Sequence, residues 1–301
     1  MGDTLTDTTY KLGKAPARPE AVKLRLRDYL TAYRLPPVPE NFGHENLVAD
    51  WGMLGNDKWG CCAESGPFHG LQVWGAEAKK TINVDTASVL AAYSAITGFD
   101  EHAGPPGANP TDNGSDVLQV AEYWRTTGLT DADGKNHKID CYLALEPGNL
   151  DELYQAMYLF GGVGIGVEFP DQWMGAFNRG QAWDVVDSPK IEGGHYIFGC
   201  ARRGANIVAI TWGRPQQITP AGYQRFNDES FVYLSEDRLA NGRDINGFDV
   251  EQLMADMAAL ASEGSVTGPP PGCGDAPEKK LETVVSRRRK PIKKEELPEL
   301  T

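Results

Sequence analysis

The period of the hydrophobic positions changes part-way along the chain. In the first half the apolar residues recur at helical spacing. Val117, Val120, Ala121 and Trp124 share one face of Asp116 to Thr127, and Leu150, Leu153, Tyr154 and Met157 form a second such stripe. Cys62 to Lys80 and Thr86 to Thr97 read as two further helices, the first interrupted at Gly66-Pro67. Gly128 stands where a C-terminal cap belongs, and the Gly- and Pro-rich stretch from Asp100 to Asn113 reads as a surface loop. From Val163 the period falls to two: Val163, Ile165, Val167 and Phe169 alternate as a half-buried strand does. His195 to Cys200, Asn206 to Trp212 and Gln224 to Leu234 read as three more strands. Helices first and strands later predict an α+β protein with the two types segregated.

The ends of the chain differ from this middle. In residues 1–35, an N-terminal extension, Val22, Leu24 and Leu26 alternate with basic residues. That stretch reads either as a strand or as the approach to a helical turn, and Leu35-Pro36-Pro37-Val38-Pro39 then enters the main domain in extended form. The main domain spans residues 36–238, and a helical segment is expected over 239–261. Residues 262–301 are rich in Gly, Pro and charge, including Arg287-Arg288-Arg289-Lys290, which predicts a disordered tail able to meet a protein assembly partner.

Composition narrows the function classes. Of 301 residues, 41% are hydrophobic and 24% charged, ordinary values for a globular protein. A net charge of −13 argues against nucleic-acid binding by the surface at large. No apolar run approaches the roughly 20 residues of a membrane span, and the N-terminus lacks a signal-peptide pattern, so a cytoplasmic protein without a membrane partner is expected. Five cysteines do not make a disulfide scaffold, and free thiols are the expectation. No Cys/His spacing fits a metal site, and Gly161-Gly162-Val163-Gly164-Ile165-Gly166 precedes a strand rather than opening a helix. Neither a metal nor a nucleotide cofactor is expected.

The candidate chemistry lies in Gly55-Asn56-Asp57-Lys58-Trp59-Gly60-Cys61-Cys62-Ala63. A cysteine at a helix N-terminus has its thiolate favoured by the dipole and the unpaired N–H groups. The Cys62 backbone N–H and the Asn56 side-chain amide are candidate donors to a developing oxyanion, and Asn56 reads equally as a cap of the turn. Cys62 reads as a nucleophile or as an inert buried thiol, and Cys61 beside it as inert. Among the histidines, His195 stands out because Gly193-Gly194 leave backbone room before it, whereas His44, His102 and His137 sit in loops and His69 in the Cys62 helix. If Arg202-Arg203-Gly204 makes a three-residue hairpin loop, His195 faces Thr211, whose hydroxyl would accept the Nδ1–H. A two-residue turn would present Ile210 and Trp212 instead.

The order of these segments resembles the papain-like cysteine peptidase superfamily over about residues 36–238, closest to compact bacterial and phage variants with a Gly-Asn-Asp-x-x-Gly-x-Cys motif. In that resemblance Asn56 falls on the family's oxyanion-hole glutamine, Cys62 on the nucleophile and Gly194-His195-Tyr196 on the catalytic histidine. Thr211-Trp212-Gly213 falls on the Asn-Ser-Trp-Gly segment, with Ile210 where the family has its asparagine. Asp112-Asn113-Gly114 resembles the glycine-rich turn, and Gly222-Tyr223 to Tyr233 the closing strand.

The resemblance implies a helical half and an antiparallel β half with a cleft between them. It also implies hydrolysis of a peptide or amide through a thioester, with Cys62, His195 and Asn56 at the site and a peptide or protein as substrate; the three-residue hairpin reading adds Thr211 as an orienter of His195. The alternative is an inactive papain-like module with a binding or structural role, such as a virion component. Absence of a Cys62–His195 contact, or a cleft buried by the chain's own termini, would favour that alternative. A third reading has residues 1–34 covering the cleft as an inhibitory segment.

Overall fold

A computed structural model describes residues 9–22, 24–27 and 37–235. The segments read from sequence as 239–261 and 262–301 lie outside them. The helices are α1 (Cys62–Glu77), α2 (Thr86–Thr97), α3 (Val117–Thr126), α4 (Leu150–Phe160), α5 (Asp171–Asn178) and α6 (Pro220–Phe226). The strands are β1 (Asn41–Gly43), β2 (Leu129–Thr130), β3 (Asn136–His137), β4 (Cys141–Ala144), β5 (Val163–Pro170), β6 (Ile191–Arg203), β7 (Asn206–Thr211), β8 (Arg214–Ile218) and β9 (Asn227–Leu234). The main sheet runs β4-β9-β5-β6-β7-β8, with β1 also on β6; all its ladders are antiparallel. The chain is α+β, helical half first.

Local chemistry sets most helix starts. Asp85, Asp116 and Asn149 each accept a backbone N–H three residues on, satisfying a donor that has no partner inside the helix. Thr219 does the same for Gly222 with Pro220 in the first turn, so residues 220–226 form α6. That corrects the expectation of a strand from Gln224, since the strand begins at Asn227. α1 also departs from expectation: Gly66-Pro67 does not interrupt it. Pro67 deletes one ladder bond, to the Ala63 carbonyl, while burial along almost the whole helix holds it in place. Gly66 is small because a Cβ there would come within 2.8 Å of the Tyr196 ring.

Two apolar clusters lie on either side of the sheet. One joins α1, α2 and α3 to Tyr196, Phe198 and Ile210, and the other joins α4, α5 and α6 to Ile197, Val167 and Trp183. Successive residues of β6 thus face different cores, the expected period of two. Cys62 belongs to the first cluster and the rings around His195 to the second, so both residues sit where the two halves meet.

The β6–β7 hairpin corrects the expected register. Arg203 pairs with Asn206, so the loop is the two residues Gly204-Ala205, with Gly204 left-handed (φ 59°). A register shift between Gly199 and Ala201 then inserts one extra residue in β6, and Phe198 pairs with Ile210. The bulge restores the parity that a two-residue turn would have lost. Thr211 and His195 share a face, but diagonally rather than directly opposite.

Candidate active site

Cys62 opens α1, and its side chain has no exposure. Burial pushes its thiol up to about 12, while backbone groups of Tyr196 and Gly13 and the charge of Lys14 oppose that rise. Removal from water outweighs the help from the helix terminus, and the thiol is held protonated. Cys61 is likewise buried and pushed up by burial, with Sγ 3.7 Å from the Leu54 carbonyl. Glu64, in the first turn of α1, is fully buried, and burial raises its carboxyl to about 7. Ser115 Oγ donates to its Oε1 at 2.5 Å.

His195 is completely buried, which lowers its ring to about 3 and keeps it neutral. Nε2 lies 2.7 Å from Thr211 Oγ1, so Thr211 engages the imidazole through Nε2 rather than the expected Nδ1. Nδ1 is buried and has no hydrogen-bond partner among the described residues, Cys62 included. Trp212 stacks on the ring at 4.2 Å and 17°. That stacking depends on the β7–β8 turn: Thr211 pairs with Arg214, leaving Trp212 and Gly213 as central residues with φ 44° and 73°. A bulky side chain with positive φ costs of order 1–3 kcal/mol, retained here where it fixes the lid of the histidine. Ile210 points into the helical-side core and supplies no polar group.

Asn56 is buried in the turn before α1. Its Nδ2 donates to the Trp59 carbonyl at 2.9 Å, a turn-closing bond, and to the Lys11 carbonyl at 3.3 Å. The amide therefore both ties the loop and points at an acyl oxygen. That oxygen belongs to the chain's own N-terminal segment, which fills the cleft. Lys11 N–H donates to the Asn56 carbonyl, Gly13 and Lys14 N–H to the Gly194 carbonyl, Ala15 N–H to Ser115, and Ser115 N–H back to Gly13. Trp212 Nε1 donates to the same Lys11 carbonyl at 3.3 Å, and Tyr10 stacks on Trp212. Gly13 has no room for a side chain, since a Cβ there would overlap the Gly60 carbonyl, and one on Gly114 would overlap the Gly13 carbonyl.

Sequence reasoning missed several of these partners. Lys14 is paired with Asp228 and Glu229, and Asp112 holds both the Gly60 N–H (2.8 Å) and the Tyr93 hydroxyl (3.0 Å). A charged Glu64 within an otherwise small and apolar helix start, and Asp228-Glu229 at the head of an aromatic strand, were the available signals. Histidines read as loop residues are also buried: His137 lies 2.8 Å from Asp131, and His44 3.0 Å from Glu77. No group of three metal-ligating side chains is arranged for an ion among the described residues, and no described helix is long and apolar enough to cross a membrane.

No family model matches the sequence, and no curated protein matches it. Solved structures match its fold. Xylellain, a cysteine protease from Xylella fastidiosa, aligns with a TM-score of 0.56 at 10% identity, over 75% of this chain and 96% of that one. Procathepsin B S9 from Trypanosoma congolense gives 0.52 at 10% identity, over 75% and 87%. Digestive procathepsin L2 proteinase from Tenebrio molitor gives 0.51 at 11% identity, over 78% and 81%. Identities this low carry architecture rather than activity. The helical half, the antiparallel sheet and the cleft between them are the papain-like fold.

Proposed function

We propose that the chain is a cysteine-type hydrolase of peptide or amide bonds, held closed by its own residues 10–15. Cys62 would attack the acyl carbon through its thiolate, His195 would take the thiol proton on Nδ1 and return it to the leaving amine, and Asn56 would donate to the oxyanion. Thr211 would keep Nε2 occupied, so that Nδ1 is the nitrogen left for chemistry. The observation that carries this reading is the Lys11 carbonyl on the Asn56 amide: a peptide oxygen already sits on the proposed donor. Papain-like architecture supports it.

Two observations favour the second reading, an inert module. Nδ1 makes no bond to the sulfur, and the chain itself fills the cleft. A covering segment accounts for both, because Gly13 backbone lies against the sulfur. Substitution at Gly13 separates the readings. Gly13→Val cannot keep the segment in place, so it should hydrolyse fluorogenic peptide amides that the wild type leaves intact, and adding Cys62→Ala should abolish that turnover. A folded Gly13→Val protein with no turnover on a broad peptide library would identify the chain as the inert module.

A further inference from the structure

Lys14 is the one charged residue of the covering segment that is drawn fully inside. Its side chain has no exposure, and Nζ lies 2.7 Å from Asp228 Oδ2 and 2.9 Å from Glu229 Oε1. Its third donor reaches the Ala15 carbonyl of its own segment at 2.9 Å. The stem runs over Gly166, where a Cβ would come within 2.7 Å of both Lys14 Cε and Glu229 Cγ. We propose that Asp228, Glu229 and Gly166 form a specificity pocket for a lysine or arginine side chain of a peptide substrate, which Lys14 fills in the closed state. The proposal rests on reading the cleft as a substrate cleft.

Position supports it. Gly13 lies against the Cys62 sulfur and Lys14 is the next residue, so the pocket receives a side chain one residue away from the one over the nucleophile. The remaining contacts of the segment with Gly194 and Ser115 are main-chain hydrogen bonds, which any extended peptide can make. Discrimination must then come from side-chain pockets. Here two carboxylates meet one ammonium. A leucine in that place would leave Glu229, buried beneath it, without its cation, and a glutamate would add a third negative charge. Asp228 Oδ1 has no hydrogen-bond partner among the described residues, and the Asp228 side chain is 22% exposed. That spare acceptor suits the planar fork of a guanidinium.

The test uses the whole chain. Fluorescein-labelled peptides carrying Lys, Arg, Leu or Glu at one or two residues to either side of a common central glycine are titrated against the Gly13→Val, Cys62→Ala protein. The same peptides unlabelled are offered to Gly13→Val for cleavage. At one position Lys and Arg should bind at least about tenfold more tightly than Leu, with Glu weakest, and Glu229→Gln should remove most of that preference. Equal affinity for Lys and Leu, or a preference that survives Glu229→Gln, overturns the pocket. Selective binding without cleavage by Gly13→Val leaves the pocket standing and sinks the hydrolase. Cleavage without selectivity does the reverse. If Gly13→Val does not fold, Lys14→Ala empties the pocket without removing any main-chain hydrogen-bonding group of the segment. Its Tm should then rise with n-butylammonium and not with n-butanol, and equal responses to the two contradict the proposal.

Discussion

Cys62 on the helical side of the cleft and His195 on the sheet side are both fully buried, yet different things bury them. Around His195 the cover is built from fixed rings: Trp212 stacked on it, Phe169 and Trp183 edge-on. Over Cys62 it includes the backbone of a segment that arrives from far away in sequence and binds through main-chain pairs and one buried lysine. The first cover belongs to the core; the second is held by main-chain hydrogen bonds and one ion-paired lysine. On the proposed release of that segment, the rings would hold the histidine in place while the cysteine's access and proton affinity change.

The largest effect should come from attacking the fixed side. Phe169→Ala removes a ring wedged against Trp173, Trp183, His195 and Trp212, and should cost about 3–5 kcal/mol in urea unfolding. A loss below about 1 kcal/mol would show that the sheet side is no more rigid than the cleft cover. On the cleft-cover side, Lys14→Ala should lower amide protection of residues 13–15 by about a hundredfold in hydrogen exchange, while strands β5 and β6 keep theirs. Equal loosening of both would erase the contrast.

The two sides also titrate in opposite directions. His195 is neutral in the fold because burial lowers it to about 3 from 6.5. Its contribution to stability is fully present above about pH 6.5 and is lost as pH falls toward 3. Glu64, raised by burial to about 7 from 4.5, contributes fully below about pH 4.5 and loses that contribution as pH rises through 7. In pH-dependent unfolding, His195→Gln should flatten the acid limb and Glu64→Gln the limb between pH 4.5 and 7; an unchanged slope in either variant contradicts its assignment. Smallest is Thr211→Val, which keeps the shape but strands Nε2, with an expected loss of about 1–2 kcal/mol and no change at the cleft cover.

Much of this architecture was legible in the sequence because it is local. The shift from helical to alternating spacing near Val163 marks the boundary between helical half and sheet, and α2 begins and ends at the residues its caps dictate. α6 hid inside an aromatic run, since Thr219-Pro220 is a helix start that competes with strand-like composition downstream. The nearness of Thr211 to His195 was readable, but the means was not. A bulge in β6 depends on pairing with β7, and no local pattern announces it. Lys14 was opaque for a similar reason: its partners lie at the far end of the domain, and only the closed sheet brings Asp228 and Glu229 to it.

The central claim is that the segment around Gly13, rather than the core, shields the Cys62 thiol. The direct measurement is the rate of iodoacetamide labelling at Cys62, located by peptide mapping, in wild type and in Gly13→Val at the same pH. Labelling should be slow in the wild type and at least about a hundredfold faster in the variant, as a buried, protonated thiol becomes exposed and more readily ionised. Cys200, buried in β6 well away from the cleft cover, should stay unlabelled in both proteins. Equal rates at Cys62 in two folded proteins would contradict the account.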